Sequence, residues 1–473
     1  MFYLKDIAQA LSNKNLSLPD VTIGSVVIDS REAAQDSLFI ALPGEKTDGH
    51  EYVRDAFDNG ALLAFVHQDM PEDLNVIDLR QEPVDIEENF LKLPLCLRVE
   101  DTLDALQTFA AYWRSKHNIR TIGITGSVGK TTTKELTAAL LSQKFKVLKN
   151  PGNRNNEIGL PLTLLELEQS HQYAVLEMGF YVPGDIRTLC EIAKPHVGVV
   201  TNIGTVHAER AGTQEMIAKG KGELVVSLPK GPEGVAVLNM DDPRVIEMAE
   251  KTNAEIFTYG IDNEADLQAV DIISRGLHGL SLNLVYQGQS HRVQSPLMGA
   301  FSAYTILRAV AVALKEGLEW DVINAGISAS QIDLRMRQLT LTNGAIVLDD
   351  TYNAAPESTI AALRLLGNLQ GRKIAILGDM LELGLYERSG HYDVGKFAAR
   401  IADLLILVGE RSKTIAEAAL DAGFEQKNIY WYPTSKQAVD TALQTIQNGD
   451  IVLIKGSNSM RMDHIIRELE VES

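Results

Sequence analysis

The stretch Gly123-Ile124-Thr125-Gly126-Ser127-Val128-Gly129-Lys130-Thr131-Thr132-Thr133-Lys134 decides how the chain is read. Residues 120–125 form an apolar strand, and 131–143, rich in Leu and Ala, form a helix. A strand, a glycine turn and a helix start are together suited to hold polyphosphate. Backbone N–H groups freed by the glycines point inward, and the helix N-terminus adds partial positive charge. Lys130 then reaches the outer phosphates and the Thr131 hydroxyl completes a Mg²⁺ shell. The general phosphate-loop pattern places a glycine six residues before the lysine, where this chain has Ile124; its glycines are Gly126 and Gly129. The competing view is a glycine turn that only packs. An apolar strand running directly into Gly-Lys-Thr-Thr favours a nucleoside triphosphate site.

The chain has 473 residues, 45% of them hydrophobic and 23% charged, with a formal net charge of −19. The length suits about three domains. So acidic a surface argues against nonspecific nucleic-acid binding, which depends on neutralising phosphates. It leaves room for small anions held by locally cationic loops. Cys96 and Cys190 are the two cysteines, with no CxxC pattern, and are expected as buried thiols of a reducing compartment. The start, Met1-Phe2-Tyr3-Leu4-Lys5-Asp6-Ile7-Ala8, reads as a short amphipathic helix and not a signal peptide. No apolar run approaches the ~18–20 residues that span a bilayer. A cytoplasmic protein is expected, with no nucleic-acid or membrane partner.

An α/β chain of three domains is predicted. Residues 1–98 carry strand patterns at 21–29, 37–42 and 61–66, a helix at 51–59, and a polar stretch at 68–89 around a short strand at 76–79. Ser30 and Arg31 follow a strand, and Lys46 and His50 lie in a loop that leads into a helix. Arg31, Lys46 and His50 are candidates for a cationic pocket for a phosphorylated ligand. Spacing alone favours a solvated charged loop.

Residues 99–332 begin with a helix at 101–116. Strands at 120–125, 173–178, 197–201 and 235–238 alternate with helices, the pattern of a mostly parallel sheet. Ligands in such sheets bind at the carboxyl ends of strands. Glu177 and Thr201-Asn202 stand at such ends, with His207 shortly after, so Glu177 and His207 are candidate ligands for a divalent metal. Residues 150–161 hold four Asn, two Gly and two Pro and read as an irregular loop, with Asn153 and Asn156 suited to contact a substrate. A helix is expected at 211–228 with Lys219, Lys221 and Glu223, then alternating strands at 255–295 and helices at 301–316 and 321–328. Residues 333–473 alternate strands at 345–348, 373–377, 404–408 and 451–454 with five helices, a Rossmann-like pattern. GxGxxG is absent, so no dinucleotide site is expected.

These motifs together resemble the Mur ligases, ATP-dependent amide-forming enzymes of peptidoglycan synthesis. The resemblance spans nearly the whole chain. Its carriers are the loop at 123–135, Asn153-Arg154-Asn155-Asn156-Glu157, Leu176-Glu177-Met178-Gly179, and Thr201-Asn202-Ile203-Gly204 with His207. Further carriers are Asp349-Asp350-Thr351-Tyr352-Asn353, Gly378-Asp379-Met380-Leu381-Glu382-Leu383-Gly384 with His391, and Lys455-Gly456-Ser457. The shortened phosphate loop is typical of this family. The Asp-Asp-x-Tyr-Asn and Gly-Asp-Met-Leu-Glu-Leu-Gly stretches point to the branch that adds D-alanyl-D-alanine to UDP-N-acetylmuramoyl-tripeptide.

The resemblance implies a UDP-substrate domain at 1–98, a central P-loop ATPase-like domain at 99–332, and a Rossmann-like C-terminal domain at 333–473 that closes over ATP and dipeptide. It implies that Gly126, Ser127, Val128, Gly129, Lys130, Thr131 and Thr132 hold the ATP phosphates, with Arg335 and Asp350 near the nucleotide. It implies two Mg²⁺ ions, one served by Thr131 and Glu177 and a second by His207. A carbamylated lysine follows that histidine in the family; Lys221 is the better match and Lys219 the rival. Ser30, Arg31, Lys46 and His50 correspond to the UDP-sugar site, and Asn353 and Asp379 to the dipeptide side. A monomer is expected.

One departure stands out. The family places His-Asn-x-x-Asn near residue 301 to hold adenine, where this chain has Phe301-Ser302-Ala303-Tyr304-Thr305. Alternatives are a sister ligase of the family, a polyglutamate-type ligase, a nucleotide-dependent switch, or an inactive homologue. The Asp-Asp-x-Tyr-Asn stretch argues against the first two. The absence of Asn-Lys-x-Asp argues against a GTPase-type switch.

Overall fold

A computed structural model describes residues 2–12, 20–44, 46–80, 92–329 and 336–471. The chain divides into two compact units. The first comprises Met1–Ile122, Phe145–Gly179 and Arg187–Pro195; the second comprises Gly123–Lys144, Phe180–Ile186 and His196–Ser473. The chain passes from one to the other inside the strand Arg120–Thr125.

The first unit contains a five-stranded, all-parallel sheet in the order Ser25–Val27, Ser37–Ile40, Ala61–Val66, Leu95–Arg98, Asn75–Asp78. Leu38, Phe39, Ile40, Leu63, Ala64 and Phe65 are all buried, as befits parallel strands covered on both faces. The predicted strand at 21–29 is broken into Thr22–Ile23 and Ser25–Val27. The helix Thr102–Ser115 is capped by Asp101, whose carboxylate accepts from the N–H groups of Leu103 and Asp104. Its Trp113 donates to Leu167 O at 3.2 Å, which ties the helix to the Phe145–Gly179 segment. That segment pairs Val147–Lys149 with Tyr173–Glu177 in parallel.

In the second unit Val197–Val200, Val235–Asn239, Glu255–Gly260 and Leu267–Ser274 pair in parallel, and Leu280–Tyr286 and Gln289–Ser295 add antiparallel strands. The apolar helix Ala303–Lys315 packs on the helix Lys130–Leu141. The expected helix at 211–228 is Gln214–Val226, and a separate short helix, Ala208–Ala211, precedes it. Gly212 takes φ +87°, and Thr213 caps the second helix by accepting from Met216 N.

The carboxy-terminal part of this unit is a six-stranded sheet in the order Arg337–Thr340, Ile346–Asp350, Ile451–Lys455, Lys373–Gly378, Leu404–Val408, Ile429–Tyr432. Only the edge strand Arg337–Thr340 runs antiparallel. Two apolar clusters cover its two faces, one including Leu363, Val394 and Ile415, the other Ala438, Ala442 and Ile465. This doubly wound layering is the Rossmann-like form expected. The two outer strands, Arg337–Thr340 and Ile429–Tyr432, lie outside the predicted set because they are short and half exposed.

Candidate active site

The strand that ends at Thr125 turns at Gly126, whose φ is +140°. A Cβ there would lie 1.8 Å from Thr201 Oγ1, so the turn requires glycine. Asn202 braces the loop: its carbonyl accepts from Ser127 N at 2.9 Å and its side-chain Oδ1 from Val128 N at 2.9 Å. Ser127 Oγ accepts from Gly204 N at 2.8 Å. Gly129, at φ +85°, starts the helix Lys130–Leu141. Val128, Gly129, Lys130, Thr131 and Thr132 are half-buried and Ser127 is buried, which leaves a preformed cradle with a helix N-terminus at its floor.

Two lysines meet at one oxygen. Lys130 Nζ donates to Gly126 O at 2.8 Å and Lys221 Nζ donates to the same carbonyl at 3.0 Å. Lys221 is fully buried and lies over the Phe180 ring at 4.7 Å from its centroid. Lys219, two residues earlier and on the opposite side of the same helix, is exposed. The two lysine head groups therefore share one backbone acceptor at the mouth of the phosphate loop.

His207 takes a left-handed backbone angle, φ 68°, at the entry to the helix Ala208–Ala211. Its Nδ1 lies 2.6 Å from Glu382 Oε2, and its ring meets that of Tyr181 edge-on at 5.1 Å. Burial holds the imidazole below its ordinary pKa; the bond to Glu382 opposes this, and the charges of Lys130 and Lys221 add to it. Glu382 is held below the usual carboxylate range, chiefly by that same bond. Both directions describe a neutral ring that donates from Nδ1 to a carboxylate and keeps the Nε2 lone pair for a ligand. Among the described residues, no three His, Cys, Asp or Glu side chains converge as a ready-made metal site.

Glu177 belongs to the first unit. Its side chain is buried and its Oε1 accepts from Asn155 Nδ2 at 2.9 Å. Asn150 bonds both its backbone groups, accepting from Glu177 N and donating to Glu177 O, each at 2.9 Å. The Asn-rich segment thus serves Glu177 through Asn150 and Asn155, residues that the sequence reading left unassigned. Asn153 is exposed, and Asn156 accepts from Gly159 N at 2.9 Å. Residues 150–161 are not irregular to their end: the helix Gly159–Leu164 begins inside them, with Pro161 in its first turn where a missing N–H costs nothing.

The proposed cationic pocket of the first unit takes a different form. His50 is buried, with Nδ1 at 2.6 Å from Asp48 Oδ1 and Nε2 accepting from His67 N at 3.0 Å, so both ring nitrogens are used within the fold. The Arg31 guanidinium is exposed and paired with Asp29, while Lys46 is exposed. Ser30 is buried, and its carbonyl accepts from Asn59 Nδ2. Asp29 thus engages Arg31, and His50 shapes the loop.

In the carboxy-terminal sheet, Asp350 Oδ2 accepts from Lys455 Nζ at 2.6 Å, and Lys455 also donates to Asn353 O at 2.7 Å. Asn353 is exposed. Asp379 is buried; it accepts from Ser412 N at 2.8 Å, and burial pushes its pKa up. Asp379 therefore anchors the loop at 409–412. Arg335 lies outside the described residues. At the departure near residue 301, Ser302 Oγ donates to Met298 O, and Tyr304 OH donates to Asp241 Oδ2 at 2.9 Å.

Comparison with known proteins matches three stretches of the chain to family descriptions. Residues 22–114 match "Mur ligase family, catalytic domain", 124–313 "Mur ligase middle domain", and 334–458 "Mur ligase, glutamate ligase domain". A UDP-N-acetylmuramoyl-tripeptide–D-alanyl-D-alanine ligase of Synechocystis sp. is 38% identical, with 98% of this chain and 95% of that protein aligned. The ligase of that name from Bacillus subtilis is 31% identical, covering 98% of each chain. The crystal structure of MurF from Acinetobacter baumannii superposes with a TM-score of 0.86 at 30% identity, over 99% of both chains. The MurF ligase from Thermotoga maritima in complex with ADP gives 0.81 at 25% identity, over 96% of this chain and 98% of that one.

Proposed function

Because the chain belongs to the Mur ligase family, we infer that it joins D-alanyl-D-alanine to UDP-N-acetylmuramoyl-tripeptide with ATP, a step of peptidoglycan precursor assembly. The observation that carries this reading is end-to-end likeness to ligases of that name, on a chain whose phosphate loop is fully built.

A carboxylate is a poor electrophile because it is anionic and lacks a leaving group. The terminal carboxylate oxygen of the tripeptide attacks the γ-phosphorus of ATP, the bond to the bridging oxygen breaks, and ADP leaves. The dipeptide amine then attacks the acyl carbon; the amide forms, phosphate departs and the amine gives up a proton. Lys130 and the N–H groups of residues 126–132 offset charge as the phosphoryl group moves.

The Glu177 carboxylate is a candidate donor in the first unit; in the second, the Thr131 hydroxyl, Nε2 of His207 and Lys221, once carbamylated, fit Mg²⁺. Bound there, it would neutralise charge on the transferring phosphoryl group. Carbamylation joins the neutral Lys221 amine to the carbon of CO₂ with loss of one proton and converts a buried cation into an anion. The burial of Lys221 against a carbonyl it shares with Lys130 supports Lys221 over exposed Lys219 for this role. The remaining substrate assignments are Ser30, Arg31 and Lys46 toward the UDP end and Asn353 toward the dipeptide. The chain is read as a cytoplasmic monomer; among the described residues no helix is long and apolar enough to cross a membrane.

The test is phosphate release from ATP and Mg²⁺ with UDP-N-acetylmuramoyl-tripeptide and D-alanyl-D-alanine, singly and together. Release that requires both supports the assignment, and release indifferent to the dipeptide overturns it.

A further inference from the structure

We propose that Arg308 is a nucleotide-positioning cation set behind the phosphate loop, and that it binds the polyphosphate's charge through space while locking the loop's two supports together. The inference rests on the ATP-dependent reading above.

Arg308 lies on the helix Ala303–Lys315 and is only 5% exposed. Its Nε donates to Tyr259 OH at 3.0 Å and its Nη1 to Thr133 Oγ1 at 3.2 Å. Both acceptors are neutral, and no carboxylate lies within 4 Å of the guanidinium among the described residues. The Tyr259 and Tyr304 rings stand 5.7 and 5.9 Å away, and their faces give partial compensation. A buried guanidinium without a counter-ion is costly, so its retention calls for an anion in its field.

The position identifies that anion. Nη1 lies 2.8 Å from where a Cβ on Gly129 would stand, so Arg308 abuts the residue that begins the phosphate-loop helix. Thr133, its first partner, lies one turn into that helix. Tyr259, its second, also donates to the carbonyls of Val200 and Thr201 at 3.1 Å, and Thr201 is packed against Gly126. One side chain therefore ties the helix start to the strand end that closes the loop. Unscreened by solvent, its charge adds to that of the helix N-terminus at the place where triphosphate would sit.

The test is calorimetric binding of ATP, ADP and AMP to the full-length protein and to R308M, with thermal melting of the nucleotide-free proteins. R308M should weaken ATP roughly tenfold or more, ADP less and AMP least, because the lost term is charge on phosphate. Its nucleotide-free melting temperature should stay near that of the unaltered protein, since loss of the bonds to Tyr259 and Thr133 is offset by removal of a buried cation. Equal losses for ATP and AMP, or none for ATP, overturn the proposal. R308Q, which keeps a donor without charge, must show the same dependence on phosphate number, and wild-type ATP affinity in R308Q also overturns it. Failure of the unaltered protein to bind ATP would instead remove the ligase reading itself.

Discussion

Glu382 and His207, 175 residues apart in sequence, meet at 2.6 Å between Oε2 and Nδ1. Both sit at left-handed backbone angles, φ 62° and 68°, which non-glycine residues adopt at a cost of about 1–3 kcal/mol each. The backbone adds a bond between Glu209 N and Glu382 O at 3.2 Å. The Gly-Asp-Met-Leu-Glu-Leu-Gly stretch is thereby coupled to the histidine assigned to metal. Replacing Glu382 with Ala should free the ring and lower kcat by roughly 10–100-fold, the usual cost of losing a partner that orients a ligand. E382Q, which can still accept from Nδ1–H, should lose less. Steady-state phosphate release checks both; equal activity in E382A and the unaltered protein would deny the coupling.

Lys221 and Lys219 separate cleanly by burial, so their variants should separate by activity. K219A should retain most activity, because its side chain is exposed. K221A should fall by more than about 100-fold if Lys221 supplies an anionic group at the phosphoryl centre. Intact-protein mass spectrometry at neutral pH should find a gain of one CO₂ in the unaltered chain and none in K221A. Retained activity in K221A would refute the assignment.

Asn150 accepts from and donates to the backbone of Glu177, so N150A leaves two buried backbone groups without their partner. Each such group costs about 1–3 kcal/mol. N150A should therefore melt several degrees lower, whereas N155A, which removes only the bond to Glu177 Oε1, should melt near the unaltered protein and lose activity instead. Thermal denaturation alongside phosphate release distinguishes the two; an N150A chain that melts unchanged would show the clamp to be dispensable.

The phosphate loop and the strands around it were legible because their signal is local. A strand of apolar residues, glycines at the turn and Lys-Thr-Thr at the helix start are all adjacent in sequence, and the structure places the strand at Arg120–Thr125 and the helix from Lys130. What sequence could not yield are partners brought from far away. Asn202 bracing Val128, Tyr259 holding Arg308, and Glu382 orienting His207 are separated by 74, 49 and 175 residues. Composition misled at His50: a histidine in a Lys- and Asp-containing loop reads as a ligand, but Asp48 and the backbone of His67 consume both nitrogens. The helix Gly159–Leu164 was obscured because Gly and Pro read as breakers, though Pro in a first turn is compatible with helix.

His391 provides a pH test of the loop that carries Glu382. Its Nε2 accepts from Met380 N at 3.0 Å and its Nδ1 lies 2.7 Å from Glu387 O, so the neutral ring fits and a proton on Nε2 would face an N–H. Burial foremost holds its pKa below the ordinary value of 6.5. The unfolded chain therefore takes up this proton at higher pH than the folded one, and stability from neutral His391 is fully present above 6.5 and lost as pH falls through the depressed folded value. Buried Asp379, whose pKa is raised, works in the opposite sense, because the folded state binds its proton more readily. The melting temperature should thus drop on acidification, and H391Q, which can accept from Met380 N without titrating, should show a smaller drop over the same range. Parallel curves for the two proteins would remove His391 as the source.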